Sequence, residues 1–113
     1  MEYRLPGRLP NKRSYHASCV VGSHLLLYGG EDIKEGSYAD MWSLNLSECL
    51  FEGCEPRWEL RETSGASPGP LSHHKMVEHD GKAYVFGGIR SDENSPSLFS
   101  FEPEENRWYR EPR

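Results

Sequence analysis

Two stretches decide the fold: LLLYGG, from Leu25 to Gly30, and AYVFGG, from Ala83 to Gly88. Each is a short apolar run closed by an aromatic residue and two glycines, and the copies stand 58 positions apart. Working outward, His16 falls on His74, Cys19 on Val77, Leu26 on Tyr84, Leu27 on Val85 and Tyr28 on Phe86, all at that one offset. The glycine pair Gly29 and Gly30 falls on Gly87 and Gly88, and upstream Pro10 and Ser14 fall on Pro68 and Ser72. Downstream, the run Asp40 to Leu44 matches Ser97 to Phe101 at an offset of 57, and Trp58 matches Trp108 at an offset of 50. The shorter last offset gives the first copy a longer loop, Asn45 to Pro56, which holds Cys49 and Cys54.

Within each copy the pattern is one of strands and turns. Proline and glycine interrupt every long window, and no helical stripe survives them. Ser18 to Val21, a turn at Gly22 and Ser23, and Leu25 to Tyr28 read as a hairpin. Lys75 to His79, Asp80 and Gly81, and Lys82 to Phe86 repeat it. Asp-Gly favours a two-residue hairpin turn, because both central positions need positive φ. Leu25 to Tyr28 is continuously apolar, the signature of a strand covered on both faces. Each copy thus carries four strand signals in one order, an internal repeat of four-stranded units.

Composition bounds the function. A chain of 113 residues suits one domain at most. The net charge is −5, with acidic and basic side chains interspersed and no basic block, which argues against nucleic acid as a partner. No apolar run approaches a membrane span, and MEYRLPGRLP has no signal-peptide core. Three cysteines imply no disulfide framework, so a reducing, cytoplasmic setting is expected.

These residues resemble the Kelch-repeat family. LLYGG, DMWSL and RWEL in the first copy, and YVFGG, SLFSF and RWYRE in the second, follow the family's order: a strand ending in Gly-Gly, an apolar strand, then a tryptophan on a fourth strand. LFSFEPEENRW is close to the third and fourth strands with their turn. The resemblance implies an all-β fold, two four-stranded Kelch blades forming part of a β-propeller. Residues 1–10 read as the tail of a preceding blade strand or a linker, 11–66 as the first repeat and 67–113 as the second. One departure is that Arg13, before the first strand, is matched by Leu71.

Expectations for single residues follow. Gly29, Gly30, Gly87 and Gly88 allow backbone angles closed to other residues and the close approach of a large neighbour. Trp58 and Trp108 are expected at blade-to-blade contacts, and His16 and His74 as structural hydrogen-bonding groups. His73, His74 and His79 invite a metal-site reading, but adjacent strand residues face opposite sides, so no metal or cofactor is expected. Cys49 and Cys54 do not complete a tetrahedral site. No nucleophile elbow, phosphate loop or dinucleotide fingerprint is present.

Two functions stay open. The resemblance most often implies a non-enzymatic interaction module, a scaffold or adaptor, with a ring completed by a longer chain or by other chains. The alternative is a segment of a Kelch-like enzyme of the mutarotase, copper-oxidase or specifier-protein type, to which Tyr15, His73 and Glu31 could contribute at the channel mouth. In the interaction reading a polar peptide or protein meets the loops entering each first strand and those after each Gly-Gly. Arg13 and Arg90 would meet its acidic side chains and Tyr15 would anchor it, with Glu31, Asp32, Lys34, His73 and Asp92 around them.

Overall fold

The computed structural model describes residues 13–32, 34, 36–47, 57–90, 93–94 and 97–111. Pro10, Cys49, Cys54, Asp92 and the 1–10 segment lie outside them. The order is β1 (Ala17–Val21), β2 (His24–Tyr28), β3 (Glu31–Asp32), β4 (Gly36–Ser37), β5 (Met41–Asn45) and β6 (Trp58–Arg61), then β7 (Ser64–Gly65), β8 (Ser72–His79), β9 (Lys82–Arg90), β10 (Glu93–Asn94), β11 (Leu98–Glu102) and β12 (Arg107–Glu111). No α-helix occurs among the described residues.

β1, β2, β5 and β6 pair antiparallel in that order into a first blade, and β8, β9, β11 and β12 form a second. The turn chemistry explains the hairpins. Asp80 and Gly81 take φ of 53° and 80°, the pair of positive angles the turn requires. Two details depart from the pattern read in the sequence. β9 does not stop at Phe86; it runs through the glycine pair to Arg90, where β10 folds back on it with Glu93 opposite Arg90. Ser64 and Gly65, placed by spacing in the first repeat, pair in parallel with β12 and so join the second blade.

The core lies between the blades. Alternation puts Leu26, Tyr28 and Met41 on one face of the first blade, with Ala17 and Cys19 beside them. Against them stand Met76, Ala83, Val85, Phe99, Phe101 and Trp108 of the second. The Trp108 ring is 4.9 Å from Tyr28 and 5.0 Å from Phe101, and is 1% exposed. Tyr28 also ties the blades through its hydroxyl, which donates to Gly69 O at 2.6 Å. The outer face of the second blade repeats the first blade's inner face but lacks this cover. Phe86 is 41% exposed where its counterpart Tyr28 is 0%, and Leu98 and Val77 are exposed as well. Trp58, the counterpart of Trp108, is only half-buried, and Leu25 and Leu27 are half-buried, so β2 is fully covered on one face only.

Candidate partner-binding face

The strand entries of the two blades meet at one end of the core. Ser14 pairs with Glu31 through both backbone bonds at 2.8 Å, and His73 N donates to Tyr15 O at 3.0 Å. Tyr15 and His73 occupy equivalent repeat positions, and both take the left-handed conformation, φ 58° and 62°. Non-glycine residues rarely adopt it and persist there only when their surroundings impose it. Their rings stack at 3.8 Å with 20° between planes, and Tyr15 is 57% exposed.

Beneath them runs a short polar chain. The buried Ser72 hydroxyl donates to Glu31 Oε2 at 3.2 Å and lies 3.2 Å from His73 Nδ1. A hydroxyl has one proton; with that proton on Glu31, His73 Nδ1–H donates to Ser72. The order acid, serine, histidine is not that of a nucleophile relay, in which the histidine stands between serine and acid. Among the described residues no cation pairs with Glu31.

Arg13 requires a correction. Placed at the loop face as a contact for a partner's acidic groups, it instead turns inward, with a side chain 3% exposed. Nη1 and Nη2 reach the two Asp40 carboxylate oxygens at 2.6 and 3.0 Å, Nη1 also donates to Gly29 O at 3.0 Å, and the guanidinium lies 4.2 Å over the Tyr38 ring. The fork of the guanidinium matches a carboxylate, so the charge is spent inside the molecule. Burial opposes ionisation of Asp40, but the bonds from Arg13 and from Trp42 Nε1 at 2.8 Å, with the Arg13 charge, hold its carboxyl below the usual value. Asp40 and Tyr38 were not singled out in the sequence; no local pattern joins residues 13 and 40.

The glycine pairs meet the expectation of close approach at Gly29, Gly30 and Gly88 but not at Gly87. A methyl group on Gly29 would lie 2.6 Å from Leu71 O and 2.7 Å from His74 Cε1, and one on Gly88 2.8 Å from His74 Cβ. The large neighbour at Gly29 and Gly88 is His74. His74 Nε2–H donates to Tyr28 O at 2.9 Å across the blade boundary, and burial pushes its pKa down despite that bond. His16, its counterpart, is exposed. A methyl on Gly30 would meet Ser14 O at 2.9 Å, whereas Gly87 has open space beside it. Asp32 caps its own turn, accepting from Lys34 N at 3.4 Å, with Lys34 exposed. Arg90 sits within β9, not in a loop.

Against this geometry, the family model for the KLHDC2/KLHL20/DRC7 Kelch-repeats domain matches residues 2–112. The chain belongs to the Kelch-repeat family. Kelch repeat-containing protein 2 of Saccharomyces cerevisiae is 34% identical over 86% of this chain and 11% of its own length. Leucine-zipper-like transcriptional regulator 1 of Homo sapiens is 30% identical over 98% of this chain and 13% of its own length. The solved structure of YjhT superposes with a TM-score of 0.73 at 19% identity, over 95% of this chain and 40% of that one. That likeness shows the fold: two Kelch blades of a propeller whose sheets do not close here. The chain spans about a tenth of the length of these two curated relatives.

Proposed function

We propose that this Kelch segment is part of a protein-interaction propeller, not an enzyme, and that it holds a polar peptide or protein at the face carrying Tyr15, His73 and Glu31. The observation that carries the reading is the Tyr15–His73 pair. Two adjacent blades each fix an exposed ring at the same repeat position in a costly backbone conformation, and the rings stack. An aromatic anchor beside a carboxylate that no cation pairs with among the described residues suits an amphipathic contact, for which tyrosine loses little conformational entropy. With the Arg13 charge spent on Asp40, Glu31 favours a cationic group on the partner over the acidic one expected from the sequence. The bare outer face of the second blade, with Phe86, Leu98 and Val77, calls for further blades, from a longer chain or from other chains.

The test is affinity capture with the propeller that contains this segment, comparing it with Tyr15→Ala plus His73→Ala. The double variant is expected to lose its captured partner while its thermal midpoint stays near that of the parent. Undiminished capture would overturn the assignment of this face.

A further inference from the structure

The outer face of the second blade carries a charge pattern as well as exposed apolar groups. Strand register sets Lys75, Phe86, Leu98 and Glu111 in one row across β8, β9, β11 and β12. The row reads cation, apolar, apolar, anion. The next row starts with Val77 and Tyr84, and at the turn end Lys82 Nζ stands 3.8 Å from Glu102 Oε2. Alternation turns this face away from the core, because Met76, Val85, Phe99 and Trp108 between these positions are buried in it. Lys75, Val77, Phe86 and Leu98 are exposed, and Lys75 has no ion pair among the described residues. The same row in the first blade, where a neighbouring blade does dock, is Ala17, Tyr28, Met41 and Arg61. There the small Ala17 lets the second blade approach, and Arg61 Nη1 donates to Pro103 O at 3.0 Å and to Asn106 Oδ1 at 2.7 Å of that blade. The second blade replaces both ends of the row, with a long cation at one and with an acceptor, Glu111, at the other.

A row of this kind is its own complement when reversed. A two-fold axis parallel to the strands, midway between β9 and β11, performs that reversal. We propose that the outer face of the second blade docks on the same face of a second copy of this chain, about that axis. Phe86 of each copy packs on Leu98 of the other, and Lys75 of each meets Glu111 of the other, so the opposite charges pair at both ends of the row. Glu111 accepts from Ser100 at 2.7 Å, and a carboxylate has lone pairs for a further donor. Lys82 of each copy comes over Glu102 of the other, while the corner pair, His79 over Arg107, adds no attraction. Four strands about 4.8 Å apart, with side-chain rows about 6.8 Å apart, make a face of roughly 400 Å². That is small for a specific interface, so the dissociation constant is expected on the order of tens of micromolar. Neither the Tyr15–His73 face nor a partner bound there takes part.

Sedimentation equilibrium of the chain over a concentration series tests it. The average mass is expected to climb from one chain to two and to stop there. Phe86→Lys is expected to leave a monomer. Lys75→Glu and Glu111→Lys each bring like charges together at both ends of the row, and each is expected to weaken the dimer roughly tenfold or more. Mixed in equal amounts, these two variants are expected to recover the dimer, because every end pair in a mixed dimer again has opposite signs. If Glu111→Lys loses its fold with the Ser100 bond, as read by circular dichroism, Phe86→Lys and Lys75→Glu still decide, both at exposed positions. Tyr15→Ala plus His73→Ala is expected to leave the mass unchanged, which keeps this test separate from that of the loop face. A monomer at every concentration, growth past two chains, a dimer that survives Phe86→Lys or Lys75→Glu, or folded charge variants whose mixture stays monomeric would each overturn the proposal.

Discussion

Replacing Arg13 by alanine separates the two roles that this residue could have. Among its contacts with the described residues, Arg13→Ala removes two hydrogen bonds to Asp40 and one to Gly29 O, together with the contact over Tyr38. Breaking a fully buried ion pair costs about 3–5 kcal/mol, because the surviving charge is left uncompensated. Asp40 keeps its bond from Trp42 Nε1, and its side chain is 30% exposed, so water restores part of what is lost. A net loss of about 2 kcal/mol follows, with a fall in thermal midpoint of roughly 10 °C for a domain of this size. Arg13→Lys keeps the charge but not the fork, and is expected to lose about half as much. Adding Asp40→Ala to Arg13→Ala should recover part of the loss, since the orphaned carboxylate goes with it. Urea unfolding followed by circular dichroism reads all four chains. An Arg13→Ala chain within about 0.5 kcal/mol of the parent, the range of an ordinary surface change, would refute the structural role and return Arg13 to the partner-binding face.

The tryptophans should diverge. Trp108→Ala, which empties the space between Tyr28 and Phe101, is expected to cost about 3–5 kcal/mol, and the half-buried Trp58→Ala about 1–2 kcal/mol, both by denaturant titration. Stability should fall on acidification in two steps. His74 is held neutral in the fold, so its contribution is complete above the ordinary value of 6.5 and drains away as pH falls from there through the lower folded value. Asp40, held ionised, contributes fully above 3.8 and loses its contribution only as pH drops through its own depressed value. A His74→Gln chain, whose amide can also donate to Tyr28 O, should lack the first step in a pH series of urea midpoints. Burial, with the Glu78 charge adding to it, pushes the Cys19 thiol up to about 11 from 9.0. Its alkylation at pH 8, mapped by peptide mass, should therefore run roughly hundredfold slower than in the urea-unfolded chain.

The blades were legible because their signals are local. Asp80 and Gly81 announce their turn by chemistry within two residues, and the 58-residue offset aligns β1 and β2 with β8 and β9 residue for residue. The partner of Arg13 was not legible, because Asp40 is 27 positions away and only the packed loop brings Tyr38 beneath the guanidinium. Close approach holds at Gly29, Gly30 and Gly88 but not at Gly87, and at Gly29 the approaching group, His74, is set by how the second blade docks on the first, which no local pattern carries. The pairing of β7 with β12 left no trace at all, since two residues of a Ser-Gly-Pro-rich stretch carry no alternation. At the candidate site, Tyr15, His73 and Glu31 came from the repeat frame, whereas the buried Ser72 that joins two of them became visible only in three dimensions.

The most direct test of the central claim is hydrogen exchange on the captured complex, comparing this segment with and without its protein partner. Binding at the Tyr15–His73 face predicts new protection in residues 13–16, 31–32 and 71–74, with the turns at 22–23 and 80–81 unchanged. Protection confined to those turns, or to the outer strands β6 and β12, would contradict it.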